Sequence, residues 1–442
     1  MVSVTLYLRP TILCGSAEWL DMGGQSCAND CSTCIATESS FAKAYPDTVD
    51  TKFAQHWDTW FTQDDVNTLK AAGINTVRVP LGYWIVEALV DRSHESYPRG
   101  GLNYLRRGLG WLKDAGIQAI LDHHALPGVQ TPGQMFTGNC TTDVQFYTTY
   151  NYHRALVWTA VMTALSHLDP EFGSVFAIEA INEPIMDATQ TPNYGTFQKN
   201  FVHVIRAVEL TLGIPVPWEL SVSVSASDSN NFTAALSASA TTFSAEVQAA
   251  LLDAVPILIE IGAACGLQTI LEASPFKSFR TSLVANFMDV NWQHTNPSNP
   301  ADVAVGPQAY DNHLYYSFGG VAAADPTSYM ISICNLTRVQ ADAAVGNSPL
   351  WFGEWGLPTQ FNATDEFLYK WADAQKLAYS KGAGWIFWNF KTEVSKLTNG
   401  TALARQWSYL EGLKLGFLTQ DPSALHDPNV CVPYMNSTSK GH

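Results

Sequence analysis

Between residues 63 and 390, short apolar runs alternate with longer helix-forming stretches, and this alternation confines the chain to a parallel sheet wrapped by helices. A helix is predicted over 63–72, with Asp64 and Asp65 in its first turn and Gly73 as its stop, followed by a strand over 74–80. A helix over 102–115, ended by Gly116, leads to a strand over 117–123. A long amphipathic helix over 143–168 precedes a strand over 174–181, and another over 194–212 is closed by Gly213-Ile214-Pro215. The rhythm breaks between 216 and 300, where Ser/Ala/Thr-rich sequence leads into an apolar helix over 245–264, and either 267–271 or 283–291 supplies the fifth strand. It resumes with strands over 308–316, 349–352 and 384–390 and a helix over 365–380. With 2–8 as the first strand, the expected fold is α/β: a (β/α)8 TIM barrel in one large domain, 1–442, with a Cys-rich segment 1–60 packed on it and an atypical region 216–300.

The net charge of −16, with no basic cluster, argues against nucleic acid or an anionic membrane surface as partner. No run of about 18 uninterrupted apolar residues is present, so no membrane span is expected. Cys27, Cys31 and Cys34 have a spacing suggestive of zinc, but no His lies within 20 residues of Cys34 and no second Cys-x2-Cys follows. Disulfides in a secreted glycoprotein fit better, because six Asn-x-Ser/Thr sequons accompany the cysteines, at Asn139, Asn231, Asn335, Asn362, Asn399 and Asn436. The N-terminus has no signal-peptide pattern, so the expected extracellular or cell-wall location implies a leader that has been removed or that lies upstream.

Polar residues collect at the C-terminal ends of the strands, where β/α barrels build active sites: Arg78, His124, Asn182-Glu183, His313, Tyr315, Glu354 and Trp388. Two glutamates at the ends of different buried strands suggest the paired carboxylates of glycoside cleavage. In a retaining mechanism one carboxyl attacks while the other donates a proton and then activates water. The acid's pKa should be raised by burial and by its charged neighbour, whereas the nucleophile should be kept ionised by an arginine such as Arg78. Asn182 is placed to bond the sugar 2-hydroxyl. No metal or cofactor is required. Glu179, Glu272 and Glu393 have no evident partner and read as structural.

The chain resembles the family 5 glycoside hydrolases of clan A, in their fungal β-glucanase branch. The matching residues are Asn75 to Trp84, Asp122-His123-His124-Ala125-Leu126-Pro127-Gly128, Asn182-Glu183-Pro184, His313-Leu314-Tyr315, Gly353-Glu354-Trp355 and Gly384-Trp385-Ile386-Phe387-Trp388. The resemblance implies that Glu183 is the acid/base, that Glu354 is the nucleophile, and that Arg78, His124, Asn182, His313, Tyr315 and Trp388 bind the sugar. Fungal endo-β-1,6-glucanases are similar at 91–101, at Phe136-Thr137-Gly138 and at 328–335. Exo-β-1,3-glucanases share the catalytic strings equally, but linkage preference resides in loops, so endo-β-1,6-glucanase is the first reading. The family usually has Leu and Gly where this chain has His123 and Ala125, which leaves open which of His123 and His124 faces substrate. Phe390 stands where Trp is commoner, and one sugar-facing contact is expected to differ there.

The expected protein is thus a secreted, monomeric, retaining hydrolase of β-glucan polysaccharide or oligosaccharide. Its alternatives are an exo-β-1,3-glucanase, a wall-remodelling transglycosylase and a non-catalytic glucan-binding barrel.

Overall fold

The computed structural model describes residues 2–5, 17–27, 30–216, 232–240, 243–268, 281–292, 299–394 and 401–435. Eight parallel strands close into a barrel in chain order. They are β1 (Val2–Thr5), β2 (Thr76–Gly82), β3 (Gln118–Ala125), β4 (Val175–Glu179), β5 (Val284–Met288), β6 (Gln308–His313), β7 (Leu350–Trp355) and β8 (Gly384–Phe387). The N-terminal strand closes the ring by pairing with both β2 and β8. The fifth strand is the later of the two candidates. Leu267 instead ends the preceding helix, its N–H donating to Gly262 O.

The helices form where the caps sit. Thr62 and Asp65 make a reciprocal capping box ahead of Gln63–Ala71. Gly116, at φ 75°, ends Gly101–Ala115 in the left-handed conformation that glycine adopts without a steric penalty. The helix expected over 143–168 starts at Thr149, because Thr148 caps it and the polar residues before it form turns. Once formed, Thr149–Leu168 is buried along nearly its whole length. The atypical region explains why: helices Phe232–Ala240 and Ala245–Cys265 add an outer layer over it and over Tyr194–Thr211. Ala245–Cys265 is long and apolar enough to cross a membrane by length and composition. Its Val247, Ala250, Leu251, Ala254, Leu258 and Gly262 are buried in this layer. Polar residues such as Asp253 and Glu260 interrupt the sequence, which is why it contains no continuous apolar run.

Cys27–Cys34, Cys31–Cys140 and Cys334–Cys431 are disulfides, and Cys265 is a free thiol; Cys14 lies outside the described residues. Cys31–Cys140 ties the N-terminal segment to the loop after β3. Phe53, Trp57 and Phe61 pack that segment against the helix Gly101–Ala115 around a small apolar cavity.

Candidate active site

Inside the barrel, side chains alternate inward and outward along each strand. Ile120, Ala177, Ala309, Trp351 and Ile386 form an apolar layer. Two residues further along the same strands stand Asp122, Glu179, Asp311, Gly353 and Trp388, so the next layer towards the C-terminal rim is polar. Arg78, from β2, occupies its centre, fully buried. Its Nε donates to Glu179 Oε2 at 2.9 Å, Nη1 to Glu354 Oε1 at 2.9 Å and Nη2 to Asn182 Oδ1 at 2.8 Å. Asp122 and Asp311 approach the same guanidinium at 3.1 and 3.6 Å. Burial alone would lower the pKa of Arg78, but the surrounding carboxyls outweigh it and hold it well above the ordinary value.

Glycine at 353 is what makes room for this arrangement. The Gly353 N–H donates to Asp311 Oδ1 at 2.6 Å, and a Cβ there would lie 1.9 Å from Asp311 Oδ2. Asp311 is fully buried and held through its other oxygen by the Gly353 N–H itself, so Gly353→Ala is expected to cost on the order of 3 kcal/mol. A urea unfolding curve for that variant overlaying the wild type would contradict the close packing. The pairing register of β7 with β8 also shifts between Phe352 and Trp355. This bulge sends Trp355 outward, against Tyr379 and Trp385, and leaves Glu354 facing the site.

Glu183 arrives differently. Strand β4 ends at Glu179, so Asn182 and Glu183 lie on the following loop, with Glu183 at φ 41°. A non-glycine residue in this region stores roughly 1–3 kcal/mol of strain and needs external support. Gln130 supplies it, its Nε2 donating to His124 O at 2.8 Å and to Asn182 O at 3.1 Å. Thr131 Oγ1 donates to Glu183 O, and Tyr147 bridges Gln130 O and the Ile185 N–H.

The two glutamates meet at His313. Its Nδ1 lies 2.7 Å from Glu183 Oε1 and 3.6 Å from Glu354 Oε2, and one oxygen of each carboxyl lies within 4.8 Å of the other. Tyr315 donates to Glu354 Oε2 at 3.0 Å. Burial would lower the pKa of His313, but Glu354, Asp311 and Glu183 together hold it well above its usual value. Two triads, Glu179–Asp311–His313 and Glu183–His313–Glu354, have ligand-type atoms close enough to share an ion.

The structure brings all eight sequence-predicted site residues together, and it corrects several of the expectations around them. Burial pushes the Glu354 carboxyl up to about 7 against the pull of His313 and Arg78, so the arginine does not hold it in the usual carboxylate range. Glu179 is not an unpartnered structural residue: it pairs with Arg78, and burial drives its pKa to about 8. Glu393 accepts from the Glu18 N–H, and Glu272 lies outside the described residues. His124 faces the site, 2.6 Å from Asp122 and stacked on Trp388, whereas His123 turns outward onto Trp158. Phe390 is core and presents no sugar-facing ring. Sequence reasoning missed Asp122, Asp311 and Gln130. The first two stand two residues before His124 and His313, a same-face spacing that strand alternation makes visible.

The family model described as "Cellulase (glycosyl hydrolase family 5)" matches residues 43–394. A glucan endo-1,6-beta-glucosidase B of Emericella nidulans is 29% identical over 94% of this chain and 84% of its own. A probable glucan endo-1,6-beta-glucosidase B of Neosartorya fischeri is 31% identical over 93% and 84%. A probable glucan 1,3-beta-glucosidase A of the same organism is 27% identical over 77% and 72%. Among solved structures, a rutinosidase from Aspergillus niger shares the fold, with a TM-score of 0.55 at 16% identity over 94% of this chain and 97% of that one. The barrel, its rim of convergent carboxyls and a family match spanning most of the sequence agree: the chain belongs to glycosyl hydrolase family 5, a family of retaining glycosidases.

Proposed function

We propose that this glycosidase is an endo-β-1,6-glucanase acting on fungal cell-wall glucan, with Glu183 as acid/base and Glu354 as nucleophile. The observation that carries the catalytic roles is the approach of the two carboxyls to within 4.8 Å, bridged by His313. That separation suits direct attack and leaves no room for the water that an inverting pair, about 6.5–9.5 Å apart, must hold. Arg78 and Tyr315 orient Glu354 through its two oxygens, and Asn182, fixed by Arg78, is the contact for the sugar 2-hydroxyl. Trp388 and His124 form the wall against which the sugar ring lies. The linkage rests on the relatives named for β-1,6 cleavage, which match more of this chain than the β-1,3 relative does. Three disulfides, and sequons on accessible Asn139, Asn335 and Asn362, support a secreted protein.

Incubation with pustulan (β-1,6) and laminarin (mainly β-1,3), followed by chromatography, tests the reading. Oligosaccharides from pustulan are expected. Glucose alone, released from laminarin alone, would replace this reading with the exo-β-1,3 one.

The pH dependence follows from the shared proton. Burial keeps a proton on Glu354 until pH rises through about 7, and His313 Nδ1 lies between that carboxyl and Glu183. Retention needs one proton on the pair, delivered to the leaving oxygen through Glu183. The value of kcat/KM is therefore expected to fall as pH rises through about 7, and to fall again in acid once the second carboxyl also takes up a proton. A profile that instead climbs through that pH would mean the proton blocks the nucleophile.

A further inference from the structure

The turn after β5 is held far more firmly than chain reversal requires. Asp289 Oδ1 accepts the N–H groups of Asn291 at 2.7 Å and Trp292 at 2.9 Å, while its other oxygen accepts from the Asn312 side chain. Asn347 Oδ1 accepts the Val290 N–H at 2.9 Å. Asp342, on the helix Arg338–Ala344, accepts from the Asn291 side chain and lies beside Asp289. Both carboxyls are fully buried. Burial and the neighbouring Asp289 raise Asp342 to about 8, against the pull of Arg338. Burying two acids to fix a three-residue turn is costly unless the residue at its end must be placed accurately.

That residue is Trp292. Its ring meets the imidazole of His313 edge-on, with centroids 5.3 Å apart and planes at 65°, and it is only half-buried. Its indole nitrogen is itself buried, with no hydrogen-bond partner among the described residues. The ring enters from β5, between β4, whose loop carries Glu183, and β6, which carries His313; Glu354 comes from β7, on the far side of His313. Trp388, stacked on His124, follows β8, three strands further round the ring. A half-buried aromatic ring, fixed against the imidazole that contacts the proton-delivering carboxyl, matches the C–H face of a sugar ring.

We propose that Trp292 is the platform of the leaving-group subsite, binding the sugar unit that departs from Glu183, and that the Asp289–Asp342 pair positions it. The proposal rests on the assignment of Glu183 as acid/base. The test compares two substrates with the same gentiobiosyl donor part: 4-nitrophenyl β-gentiobioside, whose leaving group is an aryl alcohol, and gentiotetraose, whose leaving group is sugar. Trp292→Ala is expected to lower kcat/KM on gentiotetraose by about tenfold or more, with a loss below about threefold on the aryl substrate. Trp292→Phe, which keeps a ring and removes the N–H, is expected to fall between. Asp342→Ala should show the same split in weaker form, and Asp342→Asn should restore it, because its amide oxygen can still accept from the Asn291 side chain. Equal losses on both substrates would overturn the proposal, since the ring would then only support His313. Wild-type kinetics for Asp342→Ala would overturn the positioning role. A wild-type enzyme that cleaves neither substrate would instead sink the β-1,6 reading, and the same variants compared on the laminaribiosyl pair would still decide the platform.

Discussion

Glu354→Ala is expected to reduce kcat/KM on β-glucan by about four to six orders of magnitude, without loss of the fold. The carboxyl is the atom source of the glycosyl–enzyme bond in the proposed mechanism, and nothing nearby can substitute for it. Glu183 is tied to His313 and the strained loop, Glu179 lies deeper against Arg78, and Asp311 is pinned by the Gly353 N–H. The fold should survive because Glu354 is held at its cost: burial already raises it to about 7, so its removal relieves a buried acid. Two measurements separate chemistry from folding. Circular dichroism and Tm should stay at or above the wild-type values, while added azide should restore turnover of an activated aryl substrate and yield the inverted glycosyl azide, because a small anion can attack from the vacated face. Undiminished hydrolysis by the variant would remove Glu354 from the mechanism altogether.

Arg78→Met is expected to cost about 3–5 kcal/mol at neutral pH, the range for removing one member of a buried ion pair. The guanidinium contacts Asp122, Glu179, Asp311, Glu354 and the Asn182 amide. Without it, these carboxyls would have to take up protons to remain buried. The sign with pH follows. Asp122 is raised by burial but lowered more by Arg78 and His124, so in the wild type it contributes stability above its unfolded pKa that is lost as pH falls through its lower folded value. In the variant the same groups bind protons more tightly than the unfolded chain does, and that destabilises increasingly as pH rises. The gap between the two proteins, read from urea midpoints, should therefore be widest near neutrality and narrow towards pH ~4. A gap that widens in acid would mean that the arginine is not what neutralises the cluster.

The barrel was legible because its repeating unit is local: a strand, a glycine stop and a capped helix can each be read within about 15 residues. The fifth strand was ambiguous because two apolar runs, 267–271 and 283–291, are equivalent by composition, and only the ring's closure selects Val284–Met288. The eight site residues were legible as polar positions at strand ends. Their electrostatics were not. Four carboxyls converge on Arg78 from four different strands, and that convergence depends on the stagger around the barrel, which no local window contains. Glu354 shows the same limit. Strict alternation from Phe352 would place Glu354 on the same side as that residue, and the bulge beside Gly353 turns it inward. The raised pKa of Glu354 is likewise invisible in a local window, because it comes first from burial, which only the closed barrel creates.

Gln130 has a consequence for how such an enzyme can change. One side chain holds the ends of both β3 and β4, and it sits on the segment that Cys140 anchors to the N-terminal region. A graft of this segment from a barrel with another linkage preference would replace the surface that meets the glucan and, in the same stroke, unfasten the backbone that aims Glu183. On the proposed roles, variants that shift linkage while keeping turnover should preserve Gln130, Thr131, Cys140 and Tyr147 and vary the other residues between them.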